Sequence, residues 1–194
     1  MQYMEKKYQF ERLDVLAFAK AQGVIEQSMT LAEMPRLALE AATGTPASQV
    51  AVDWRAAGVM RSDAATGDVP WLLCEAQVEL PMQCQRCLQP VDVAVETSQW
   101  FRFVATEEEA DKEDEEALED VMSLEEPLNV LRLVEDDLLM ALPSVVMHED
   151  CQPPVVLQAR TPDFTLTRSG KPNPFAKLAE LAVTPLTKGG EKAD

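Results

Sequence analysis

Apolar residues change their spacing along the chain, and the changes divide it into elements. Residues 8–21 place Phe10, Leu13, Leu16, Ala17 and Ala21 at helical intervals, with Asp14 and Lys20 among the polar positions and Gly23 following as a stop. A strand-like piece at 24–29 leads into Thr30-Leu31-Ala32-Glu33, where Thr followed three residues later by Glu matches a capping box. A second helix is predicted from there to about Ala41, with Pro35 tolerated near its first turn and Thr43-Gly44-Thr45-Pro46 ending it.

From Ser48 the period becomes two. Val50, Val52, Trp54 and Ala56 share one face of a strand, with Gln49, Ala51, Asp53 and Arg55 opposite. After a polar loop at 61–68, a strand at 71–82 sets Ala76, Val78 and Leu80 against Glu75, Gln77 and Glu79. A third run takes Val91, Val93 and Val95 on through 100–104 and is long enough to bend or bulge near Ser98. Short adjacent strands joined by turns pair naturally as an antiparallel meander, either an open sheet or a partly closed barrel. Asn129 then caps the strongest helix, 130–142, ended by Pro143. Apolar residues cover most of its circumference, so it should be buried against the sheet, with Glu135-Asp136-Asp137 as its exposed remainder. The predicted class is α+β: one domain over 1–152 with N-terminal helices and a sheet packed by a buried helix.

Charge changes this picture in one place. The chain of 194 residues has a formal charge of −17, yet twelve acids against Lys112 alone fall within 105–127, which leaves the rest only mildly acidic. Such a block resists collapse and predicts a disordered, solvated insertion about 105–127. It would also repel phosphates, so the chain is not built to grip nucleic acid broadly. Residues 152–194 hold six of the thirteen prolines and six bases against four acids, predicting a flexible Pro-rich tail from 153. Within it, Asn173 as cap and Pro174 at the first position open a short amphipathic helix about 174–182, with Phe175, Leu178 and Leu181 roughly on one face. No apolar run reaches about 18 residues and the N-terminus lacks an apolar leader, so a cytoplasmic protein without a membrane partner is expected.

Candidate chemistry starts from sulfur. Cys84-Gln85-Arg86-Cys87 lies between two strands, and His148-Glu149-Asp150-Cys151 repeats the three-residue step some sixty residues on. Together Cys84, Cys87, His148 and Cys151 form a Cys3His set that could close a tetrahedral structural zinc site. Free thiols beside an ordinary surface His148, or a redox dithiol of Cys84 and Cys87, are the alternatives. In each case Arg86 would lower the thiol pKa values. Cys74, inside an apolar run, reads as a buried small hydrophobe.

Other chemistry is poorly supplied. His148 is the only histidine, seven glycines form no phosphate-cradling loop, and the carboxylates crowd a run expected to be disordered, so no enzyme and no small-molecule substrate are expected. Trp100-Phe101-Arg102-Phe103 could present one pair of side chains for base stacking or close the core instead.

Three stretches carry a resemblance. Cys84-Gln85-Arg86-Cys87-Leu88-Gln89-Pro90, Leu133-Val134-Glu135-Asp136-Asp137-Leu138-Leu139-Met140-Ala141-Leu142-Pro143 and Lys171-Pro172-Asn173-Pro174-Phe175-Ala176 are similar, in order and separation, to the hallmark stretches of the bacterial YceD family, the large ribosomal RNA subunit accumulation proteins. The resemblance implies a non-catalytic role in the synthesis, processing or stability of 23S ribosomal RNA. The implied partner is a large-subunit precursor, met through 23S rRNA, basic ribosomal proteins or both. Arg86, Glu135, Asp136, Asp137, Asn173, Pro174 and Phe175 are the candidate contacts. Some relatives carry extra cysteine pairs after the Leu-Pro motif that resemble a complete zinc knuckle, where this chain has only His148 and Cys151. Outside the resemblance, a thiol-based redox protein and an adaptor docking through Phe175, Leu178 and Leu181 are the competing classes.

Overall fold

The computed structural model describes residues 8–63, 67–115 and 117–155. These lie in a compact unit that ends at Val155. The tail helix about 174–182 and the candidate contacts Asn173, Pro174 and Phe175 lie outside the described residues.

Five strands form one open sheet in chain order: β1 (Val24–Thr30), β2 (Ala51–Asp63), β3 (Gly67–Gln83), β4 (Pro90–Val104) and β5 (Asp120–Ser123). The strands β1 to β4 are antiparallel neighbours, as the period-two pattern predicts. Alternation decides which face is covered: Leu72, Cys74, Ala76, Val78 and Leu80 of β3 are all buried, while the odd-numbered residues between them are not. The β3–β4 register runs without interruption from Trp71↔Arg102 to Gln83↔Pro90, so the bulge expected near Ser98 is absent. The sheet does not close into a barrel.

The covered face packs against helices that differ from their sequence forecasts in instructive ways. In place of one helix over 8–21 there is a 3-10 turn (Phe10–Arg12) and then α1 (Val15–Lys20). Asp14 divides them, because its Oδ1 accepts from Ala17 N at 2.9 Å and so caps α1 rather than riding on a longer helix. Leu13 just before it exchanges two backbone hydrogen bonds with Leu128, at 2.7 and 2.9 Å. The capping box forms as expected, Glu33 Oε1 accepting from Thr30 N at 3.1 Å. It caps only a 3-10 turn (Leu31–Glu33), and Pro35 takes the first position of a separate helix, α2 (Pro35–Leu39).

The largest correction concerns the acidic insertion. Thr106 caps a helix, α3 (Glu107–Asp114), and β5 follows, pairing parallel to β4. Composition predicts disorder, but the acids here have partners. Arg102, with its side chain only 16% exposed, forms ion pairs with Glu113 and Glu119, and Asp114 Oδ1 accepts from Val121 N at 3.0 Å. Acids in the first turn of α3 also suit the helix dipole, and Ala110 and Val121 bury the apolar side.

The helix α4 (Val130–Ala141) lies on β3 and β4 with Val130, Val134 and Leu138 fully buried, and Asn129 Oδ1 accepts from Arg132 N at 3.0 Å as the predicted cap. Of its acidic triplet only Asp136 is exposed as expected, while Asp137 is partly buried. Glu135 is 4% exposed, and the solvent side is taken also by residues such as Met140. The reason is a demand from α2, whose first-turn N–H groups need acceptors: Glu135 Oε1 accepts from Arg36 N at 2.7 Å and Leu37 N at 3.1 Å. Arg36 also pairs with Glu135 at 2.9 Å and with Asp136. No described helix is long and apolar enough to cross a membrane.

Candidate metal centre

Six residues connect β3 to β4, and the thiols sit in that connection. Cys84 N bonds to Gln89 O at 2.9 Å and Leu88 N to Cys84 O at 2.9 Å, closing a tight knuckle. Leu88 reverses the chain with φ +64, a conformation that costs a side-chain-bearing residue about 1 kcal/mol and that the sequence did not signal with a glycine. The partner segment arrives from α4. Pro143 ends that helix, and the following chain is laid along the knuckle by Gln85 N bonded to Val146 O at 2.8 Å and Gln85 Nε2 to Ser144 O at 3.3 Å.

The four donors predicted from sequence converge. The sulfurs of Cys84, Cys87 and Cys151 and a ring nitrogen of His148 all lie within 4.8 Å of one another. Cys84 Sγ is 3.7 Å from Cys151 Sγ, and Cys87 Sγ is 3.3 Å from His148 Nδ1. A zinc tetrahedron with Zn–S of about 2.3 Å and Zn–N of about 2.0 Å would separate sulfurs by about 3.8 Å and sulfur from nitrogen by about 3.5 Å. These two edges therefore nearly match those of a single tetrahedral ion, and the remaining donor pairs lie within 4.8 Å. The outer contacts fit as well, because His148 Nε2 donates to Pro90 O at 3.0 Å and so leaves Nδ1 as the free lone pair facing the sulfurs.

Electrostatics divides the sulfurs. Burial pushes the Cys84 thiol up, but the backbone N–H groups of Cys87, His148 and Arg86 converge on it and hold it at about 5. For Cys87 the Gln89 N–H pulls down, while burial and the neighbouring Cys84 and Cys151 sulfurs win and raise it. The thiol of Cys74 is buried in the core, as expected, and its burial raises its pKa strongly.

The candidate contacts fare differently. Arg86 turns inward: its Nε donates to Cys151 Sγ at 2.9 Å and its Nη2 to His148 O at 2.6 Å and Glu149 O at 3.0 Å. It braces the centre instead of reaching for a partner. Glu135 is committed to α2, and Asp136 is paired with Arg36 at the surface. Asp137 is partly buried with Oδ2 unpartnered among the described residues. Phe101 and Phe103 close the core, whereas Trp100 lies on the other face of the sheet against Trp71. Sequence reasoning overlooked Trp71 and Arg61 in this surface, because nothing in their spacing shows that a hairpin brings them beside Trp100.

A family model described as Large ribosomal RNA subunit accumulation protein YceD matches residues 72–182, a span that takes in all four donors and α4. The Large ribosomal RNA subunit accumulation protein YceD of Haemophilus influenzae is 32% identical over 120 residues, which are 55% of this chain and 62% of that protein. The chain thus matches less than two thirds of that relative's length. No solved structure matches it.

Proposed function

The chain belongs to the family of large ribosomal RNA subunit accumulation proteins, and from that premise we propose that it is a non-catalytic factor in large-subunit assembly. It is needed for the synthesis, processing or stability of 23S rRNA and works in the cytoplasm by binding a precursor particle through rRNA, basic ribosomal proteins or both. The observation that carries this reading is the family match itself. The centre supports its non-catalytic part, since four protein donors fill a tetrahedral shell and leave no position for a reacting water.

In this reading Cys84, Cys87, His148 and Cys151 hold a structural zinc ion. The ion would supply cohesion, tying the chain leaving α4 to the β3–β4 connection, and Arg86 would balance the surplus negative charge of three thiolates. A second reading, a thiol-based redox protein, is favoured by the low pKa of Cys84. It uses only Cys84 and Cys87, however, and gives no reason for His148 and Cys151 to be aimed at the same point.

Sucrose-gradient fractionation of lysates with and without the gene tests the assembly reading. Co-migration with large-subunit precursors, and loss of mature 23S rRNA on deletion, is the expected result. A protein that stays at the top of the gradient with an unchanged RNA profile would refute it.

A further inference from the structure

One face of the sheet is largely uncovered. The helices α1 and α4 pack on the face that carries Leu72, Val78 and Leu80, and α3 meets the other face at its β4–β5 end, where Glu113 pairs with Arg102. Two features on that face point to the same kind of ligand.

The first is an indole pair. Trp71 and Trp100 stand on neighbouring strands with ring centroids 6.3 Å apart and planes at 72°. Across them lies the guanidinium of Arg61, its carbon 4.4 Å from the Trp71 centroid and 3.8 Å from that of Trp100. Arg61 is itself exposed. The pair is thus a working acceptor for a planar cation, filled at present by an exposed side chain of the same chain.

The second is a trough of about 800 Å³ that crosses four strands. Register builds its walls: Glu26, Arg55 and Glu75 stand side by side across β1, β2 and β3, and Asp53, Gln77 and Glu96 do the same across β2, β3 and β4. The residues between the walls point into the core, so the floor is largely backbone. Strands about 4.8 Å apart make the trough about 15 Å long, room for four or five extended residues. Arg55 is already neutralised by Glu26 at 3.1 Å and Glu75 at 2.7 Å. Asp53 and Glu96 have no ion pair among the described residues. On β4 the trough reaches Ser98, and Trp100 is the next residue on the same face.

We propose that this face is the docking surface for an extended arginine- and lysine-rich protein segment, one arginine of which takes the indole slot of Trp71 and Trp100 while its neighbours lie in the trough against Asp53 and Glu96. The inference rests on the assembly reading and gives its basic-protein partner a place on the molecule. The face selects against RNA. A strand stacking on Trp100 would have to run its phosphates past the acidic walls, which repel them.

The test uses the full-length protein and a fluorescein-labelled twelve-residue peptide of alternating Arg and Gly, with binding read by anisotropy and a twelve-nucleotide oligouridylate in a parallel arm. Trp100→Ala should weaken peptide binding about five- to tenfold, from loss of the cation–π contact. The exposed double variant Asp53→Asn/Glu96→Gln, which leaves the core untouched, should weaken it by a similar factor. Arg61→Ala should leave it unchanged or tighten it, since the slot is emptied. A lysine-for-arginine peptide should bind less well, because an ammonium group keeps the cation–π attraction but lacks the planar stacking of a guanidinium. Equal binding by all variants would mean that overall acidity alone attracts the peptide, and would overturn the proposal. So would no binding, or oligouridylate binding that exceeds the peptide's and is lost in Arg61→Ala and Trp100→Ala. If the peptide test fails while the protein still co-migrates with large-subunit precursors, this surface is wrong and the assembly reading stands. If the peptide binds as expected but the protein never enters those fractions, the assembly reading fails instead.

Discussion

Removing the zinc proposed for Cys84, Cys87, His148 and Cys151 is expected to loosen one corner of the fold and leave the sheet standing. The four donors already sit within 4.8 Å of one another, so little rearrangement opposes binding. An ion held only by the native state contributes about 4 kcal/mol when free zinc is a thousandfold above Kd. For a unit of this size about 2–4 °C accompanies each kcal/mol, so chelation should lower the melting temperature by about 8–16 °C. Far-UV circular dichroism should change little, because α4 and the five strands have their own core. Thiol titration gives a sharper readout in whole numbers. With metal bound, no thiol should react; after chelation three should, from Cys84, Cys87 and Cys151; and Cys74, 1% exposed beneath the sheet, should react only on unfolding. One zinc per chain by elemental analysis completes the expected pattern, and His148→Ala should abolish it. Three thiols that react equally fast with and without chelator, together with an unmoved melting temperature, would refute the metal centre and favour the redox reading.

Three further perturbations test the packing. Glu135→Ala strands the part-buried N–H of Arg36 and the buried N–H of Leu37 and should cost about 2–4 kcal/mol in urea denaturation; a loss below about 1 kcal/mol would mean that Glu135 is not the acceptor α2 depends on. The carboxyl of Asp137 is pushed up to about 6, by burial first and by Asp120 and Asp136 after it. Its folded-state pKa lies above the unfolded one, so ionising it costs stability that is kept below pH of about 4 and lost as pH rises through 6. Asp137→Asn should therefore be the more stable form by about 1–2 kcal/mol at pH 7.5, discounted for partial exposure, and equal to the parent near pH 3.5; a difference that does not vary with pH would sink the assignment. At Gly58 an added Cβ would stand 2.6 Å from the Phe18 ring and 3.0 Å from the Ala19 backbone, so Gly58→Ala should cost about 1–3 kcal/mol by thermal denaturation, and a neutral result would show that α1 yields easily.

What could be read from the sequence follows the range of the forces involved. The alternation of Ala76, Val78 and Leu80 is a local signal, and it gave β3 its face and the meander its direction. The pairs of metal donors were legible because each is a fixed short spacing on one segment, although only the fold shows that the two segments meet. Glu135 was misread because its partners, the N–H groups of Arg36 and Leu37, lie 99 and 98 residues away. On α4 alone an acid beside two others looks solvated. The same holds for α3 and β5: twelve acids hide the apolar positions of Ala110 and Val121, and the cation that organises them, Arg102, belongs to a different element. Charge density predicts disorder only when the charges have nothing to pair with.

Arg86 shows how such pairing decides what an acidic chain can offer a partner. Three thiolates around a divalent ion leave one surplus negative charge, and the Arg86 guanidinium, 2.9 Å from Cys151 Sγ and bonded to two carbonyls of the same loop, offsets it within the centre. Because Arg86 is already counted in the formal charge of −17, a loaded centre, with a divalent ion and three thiolates, would add one negative charge to the chain that Arg86 offsets only locally. It also uses up the arginine that the sequence offered as a partner contact. Arg36, Arg55 and Arg102 are likewise held by carboxylates, while Arg61 lies on its tryptophans, and Arg12 and Arg132 are exposed. Where arginines are held by carboxylates in this way, the surface has little to offer phosphates, and on the proposed docking face the Arg61 guanidinium is the cation that a basic segment would replace.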